Sequence, residues 1–220
     1  MEAVQILHRF FDFVDICRFA HYNNKKPNRT VRNHPVGKQN YGKEDGRIAP
    51  NFIAMKSRKL AVGALIAALY AILTHLQNMI LPDSATWAIQ LRASEALCVL
   101  AFFTPAASWG LAVGCFLFNL LYAGALPLDV VVGPLASFLA GAAMYATRKI
   151  RVFGIPFLGM LMPAVFNAIF VGWELWLYLQ TPFWLNVLYV AAGELIVLLT
   201  LGTALYILLD RRFRRLIEGE

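Results

Sequence analysis

From Leu60 to Leu209 the chain is apolar almost throughout, and its polar interruptions come at helix-length intervals. A run of about 20 apolar residues is what an α-helix needs to cross a bilayer. The pattern predicts six spans. The first runs from Ser57 to His75, and residues 77–90 follow as a loop with Pro82, Asp83 and Ser84 as turn signals. The second, Leu91 to Phe103, is short for a full crossing, so tilt or the flanking loop must complete it. Pro105 opens the third, in a first turn where proline is tolerated, and this span ends near Tyr122–Gly124. The fourth begins at Asp129 and reaches Thr147 through Gly133-Pro134, where a kink is expected. The fifth extends from Pro156 to Leu179 with Pro163 inside it. Thr181-Pro182 makes the next turn, and the sixth span covers Phe183 to Leu209.

Residues 1–54 are of a different kind. Leu7, Phe10, Phe11 and Val14, with Arg9 and Asp12 between them, fit a short interfacial helix over Val4–Phe19. His21 to Asn51 is polar and rich in Asn, Lys, Gly and Arg, which predicts disorder. No small-residue cleavage site follows an uninterrupted apolar core, so the segment does not read as a signal peptide. Met55, followed by Lys56, Ser57, Arg58 and Lys59 and then an apolar helix, has the form of a natural start. The division expected is therefore a tail, 1–54, and a membrane domain, 55–220.

Composition agrees. The chain is 59% hydrophobic and 15% charged, against about 45–50% and about 25% in soluble domains. The net charge of +7 does not point to nucleic acid, because the basic residues flank the spans: Lys56–Lys59, Arg148–Arg151 and Arg211–Arg215. Six spans put all three clusters on one side, while residues 77–90, 124–128 and 180–182 carry no Lys or Arg. The positive-inside rule then makes both termini cytoplasmic. The fold expected is an all-α integral membrane protein of six transmembrane helices.

Polar groups inside such a domain are expensive and need partners or a cavity. Arg92 and Glu95 lie three residues apart in the second span, Asn119 near the end of the third, and Asp129 at the start of the fourth. Asn167, Phe170, Glu174 and Tyr178 follow steps of three, four and four along the fifth span, one helical stripe. Glu194 lies in the sixth. With the topology above, nearly all of these fall in the outer half, like a cup opening outward. The acids Glu95, Asp129, Glu174 and Glu194 outnumber Arg92, so a cationic or donor-rich ligand fits better than an anionic one. A flat ligand could stack on the aromatic rings and bond to the acids and amides at its edges. The alternative is a structural network in which these groups satisfy one another.

Other chemistry finds little support. GxxxxGK[ST], HExxH and GxSxG are all absent. His75 is the one histidine of the membrane region, and Cys17, Cys98 and Cys115 have no metal-ligand spacing. Neither cofactor nor metal is expected, and an intramembrane enzyme would need a nucleophile–base pair that is not evident. Gly63, Ala64, Ala67, Ala68 and Ala71 let another helix approach the first span closely. Packing within the bundle is the simpler reading of that face; docking of another subunit is the other.

Several ordered segments carry a resemblance: MKSRKLAVGALIAALYAILT, IQLRASEALCVLAFFTPAA, GLAVGCFLFNLL, LDVVVGPLAS, PAVFNAIFVGWEL and VAAGELIVLLTLG. Together they resemble the queuosine-precursor transporter family, QueT, over about Met55 to Arg212. The resemblance implies a substrate-capture (S) component of an energy-coupling factor (ECF) transporter. Such a component binds a micronutrient from outside and works with a transmembrane coupling subunit and two cytoplasmic ATPases. It also implies that Ala64 and Ala68 lie on the face that docks to the coupling subunit. The cargo implied is a 7-deazaguanine bearing an aminomethyl group, for which Glu95, Glu174 and Glu194 are candidate acceptors and Asn119 and Asn167 amide partners. Arg92 either contacts the ligand or holds Glu95. Another flat micronutrient, or a structural membrane protein with no pocket, are the alternatives.

Overall fold

The computed structural model describes residues 50–218, apart from 83, 85–89 and 123. The expectations for residues 1–49 fall outside the described residues. The chain divides into Met1–Leu60 and Ala61–Glu220, and the fold below is that of the second unit. The regular elements among the described residues are all helices, with one isolated bridge between Val152 and Ile155 and no strand.

Helix α1 runs from Pro50 to Ile80. It continues past His75, so Gln77–Ile80, expected in a loop, are helical. Its buried face is Val62, Ile66, Ala67, Tyr70 and Thr74, residues at helical spacing. Ala64 and Ala68 point away from the bundle and are exposed.

The second apolar stretch departs most from expectation. Ala93–Phe102 is a 3-10 helix, not an α-helix. The tighter winding rises about 2.0 Å per residue against about 1.5 Å in an α-helix, so ten residues reach about 20 Å rather than about 15 Å. Ser94 through Phe102 are all buried. Neighbouring helices surround the segment, and this tertiary packing overrides its ordinary α propensity.

Helix α2 is Ala106–Leu121 and α3 is Asp129–Thr147. Pro134 sits inside α3 without ending it. The expected fifth span is broken at Leu161 into α4, Phe157–Met160, and α5, Met162–Leu179. Pro163 lacks the amide hydrogen a continuous helix needs; the break two residues earlier lets it sit in the first turn of α5. Helix α5 ends on Gln180 in the left-handed conformation, with Pro182 just beyond. Helix α6, Phe183–Val197, passes through a π-helical turn, Leu198–Gly202, into α7, Thr203–Glu218. The sixth stretch is thus longer than expected, because the helix carries through the basic tail.

Among the described residues, four stretches are long and apolar enough to cross a membrane: Lys59–Ile80, Asp129–Thr147, Phe157–Leu179 and Phe183–Arg211. Ala93–Phe102 and Ala106–Leu121 are apolar but shorter. Helix α2 packs on α3, α3 on α5, and α5 on α6. Helices α1 and α2 touch at glycine: a Cβ on Gly110 would stand 2.6 Å from the Gly63 carbonyl oxygen, and one on Gly114 2.7 Å from the Tyr70 Cβ. Such contact is what small residues permit between membrane helices.

Candidate functional site

The residues singled out on chemical grounds converge, with one exception. Arg92, Glu95, Asn119, Asp129, Asn167, Glu174 and Glu194 are all buried. They come from the 3-10 segment and from α2, α3, α5 and α6. Tyr178 lies further along the α5 stripe and is 40% exposed, so it stands apart from the buried set.

An inner group forms around the 3-10 segment. In that winding residues three apart eclipse one another, which lines Cys98 up with Glu95. The Cys98 thiol donates to Glu95 Oε2 at 2.9 Å, and the Tyr70 hydroxyl donates to Oε1. Nearby, the Asn167 amide donates to Glu194 Oε1 at 2.7 Å, while Glu194 Oε2 has no hydrogen-bond partner. Glu95 and Glu194 are close enough to act on one another electrostatically.

An outer group surrounds a cavity of about 110 Å³ lined by Gln90, Asp129, Glu174 and the apolar Leu126, Val171 and Leu175, among others. Gly124 and Leu179 also border it, which places it at the end of the bundle where the α2–α3 and α5–α6 connections lie. Glu174 is fully buried beside Asp129, whose side chain and backbone reach its carboxyl; no side-chain N–H donor among the described residues does so. Asp129 Oδ2 accepts from the Leu126 amide at 3.3 Å, and the Asp129 side chain also contacts the Glu174 carboxyl. The Asn119 amide nitrogen donates to the Asp129 carbonyl oxygen at 2.6 Å, and its own Oδ1 is unpartnered.

Two features link the groups. Arg92 acts electrostatically on Glu95, Asp129, Glu174 and Glu194. The backbone of Gln90 lies directly on α6, where a Cβ at Gly193 would stand 2.4 Å from the Gln90 carbonyl oxygen. This backbone rests beside Glu194 while Gln90 also lines the outer cavity. Gln77 holds the same extended segment from α1: its side chain accepts from the Ala93 amide at 2.6 Å and donates to the Leu91 carbonyl.

Sequence reasoning missed Tyr70, Thr74, Gln77 and Asn186. Thr74 donates to Ser94 at 2.7 Å, and Asn186 accepts from Thr181 at 3.0 Å. Tyr70 and Thr74 share the apolar stripe of α1 with Ile66, and each carries a hydroxyl into the core. That was the available signal. Groups of three or more metal-ligating side chains are absent among the described residues.

Apolar helices of spanning length around a buried polar interior define a multi-pass membrane protein. The model of the QueT transporter family matches residues 60–211, most of the chain, and the chain belongs to that family. It is therefore a transporter protein rather than an enzyme. No curated protein and no solved structure is detectably similar to it.

Proposed function

We propose that this chain is the substrate-capture subunit of an ECF-type importer, taking up an aminomethyl-deazaguanine precursor of queuosine from outside. In this reading residues 55–220 form a six-span membrane domain with both termini cytoplasmic, and 1–54 are a tail. The two shorter stretches can complete six crossings: the 3-10 segment reaches about 20 Å and the 16 residues of α2 about 24 Å, most of an apolar layer about 30 Å thick. The connections at the cavity end carry no Lys or Arg. Arg151 pairs with Asp210 at 3.8 Å, joining the basic α3–α4 connection to α7. The positive-inside rule turns the cavity outward.

The observation that carries the proposal is the cavity itself, walled by two facing acids, Asp129 and Glu174, that no side-chain N–H donor among the described residues satisfies. Leaving a buried polar group unsatisfied costs about 1–3 kcal/mol, and more for a charged one. A ligand with N–H donors would offset that cost. The precursor offers a guanine-like N–H edge, a carbonyl and an ammonium, which suit Glu95, Glu174, Glu194, Asn119, Asn167 and Arg92. Energy would come from partner ATPases, since the chain has no GxxxxGK[ST] motif. Ala64 and Ala68, exposed on α1, would form the docking face for the coupling subunit.

Calorimetry on the purified protein tests this. Binding of the aminomethyl-deazaguanine without any partner subunit is the expected result. Absence of binding, together with a different small molecule co-purifying by mass spectrometry, would reassign the cargo.

A further inference from the structure

We infer that the Asp129–Glu174 cavity is a subsite for a primary ammonium group, separate from the inner residues around Glu95 and Glu194. The inference rests on the proposed function and assigns one part of the ligand to one part of the site. The two carboxyl groups of the outer group, Glu174 and Asp129, lie against one another, and among the described residues no side-chain N–H donor reaches Glu174 Oε1, Glu174 Oε2 or Asp129 Oδ1. A primary ammonium carries three N–H donors and no acceptor, so it can bond to both members of this like-charged pair and relieve their repulsion. The inner group does not match. Both Glu95 oxygens accept from Tyr70 and Cys98, and Asn167 occupies one oxygen of Glu194. That leaves Glu194 Oε2 as the single open carboxylate oxygen of the inner pair.

Size and lining agree. At about 110 Å³ the cavity is well below the roughly 300–1,000 Å³ of pockets that enclose whole drug-sized ligands. It suits a substituent. Leu126, Val171 and Leu175 supply apolar walls for a methylene carrying the charge. Formal charge points the same way: two acids face the cavity, and none of its described lining residues is basic, Arg92 acting on them from further off.

The test compares two deazaguanines that differ at one substituent, aminomethyl against nitrile, on wild type and on Asp129→Asn and Glu174→Gln. Each variant should lose at least tenfold in affinity for the amine and stay within twofold for the nitrile. Equal losses for both compounds, or no loss for the amine, overturn the assignment. Methylammonium and tetramethylammonium on wild type give a second arm that needs no variant to fold. Methylammonium should raise the melting temperature at millimolar concentration, and tetramethylammonium, with no N–H, should not. If wild type binds neither deazaguanine yet responds to methylammonium, the cargo reading fails and the subsite stands. If it responds to none of these, both fall.

Discussion

Asn167 and Glu194, 27 residues apart in sequence, meet side chain to side chain at 2.7 Å and join α5 to α6 in the core. This amide is the one protein donor to Glu194 among the described hydrogen bonds, and the other carboxylate oxygen has none. Asn167→Ala should therefore cost about 1–3 kcal/mol, the penalty for stranding a buried acceptor. Thermal unfolding in detergent reads this directly. An unchanged melting temperature would mean that Glu194 is satisfied some other way.

Arg92 faces a harsher exchange. It acts on four buried acids at once. Removing one partner of a buried charge set typically costs about 3–5 kcal/mol, because the remaining charges lose their compensation. Arg92→Gln should lower stability by that order. Arg92→Lys, which keeps the charge but not the planar fork, should fall between. Denaturation of the three proteins side by side gives the ranking, and a Gln variant as stable as wild type would refute it.

The α1–α2 crossing depends on missing side chains. A methyl at Gly110 would meet the Gly63 carbonyl at 2.6 Å, and one at Gly114 the Ala67 carbonyl at 2.8 Å. Backbone cannot yield as a flexible side chain would, so overpacking of about 1–3 kcal/mol per site is expected from Gly110→Ala and Gly114→Ala. Gly154→Ala is a contrasting control in space, since nothing lies near its Cβ position. Its positive φ of 82° makes the cost there one of backbone conformation instead.

Cys98 and Cys115 are both fully buried. In a Cys17→Ser background, a maleimide should leave the folded protein unlabelled and modify two thiols after denaturation. Fast labelling of the folded protein would contradict the packing of the 3-10 segment.

Sequence pattern made the apolar helices legible because hydropathy in a membrane chain is a strong and nearly local signal. It also singled out Glu174 and Glu194, since an acid in an apolar run stands out without any knowledge of its neighbours. Winding was not legible. Nothing in ASEALCVLAF distinguishes a 3-10 helix from an α-helix; the choice is made by the elements packed around it. The same limit hid Tyr70 as a partner of Glu95, because a tyrosine on an apolar stripe reads as core until the facing carboxylate is placed. Pro163 misled in a milder way: the interruption it imposes appears at Leu161, two residues upstream, and not at the proline.

The winding of Ala93–Phe102 has a mechanical side. If the same ten residues coiled as an α-helix they would measure about 5 Å less from end to end. They would also swing Cys98 out of line with Glu95. Shortening would reel in the Gln90–Arg92 strap and lift its carbonyl from the notch at Gly193. Gln90, which borders the cavity and rests against Gly193, is thus tied to a cord whose length is set by its coil.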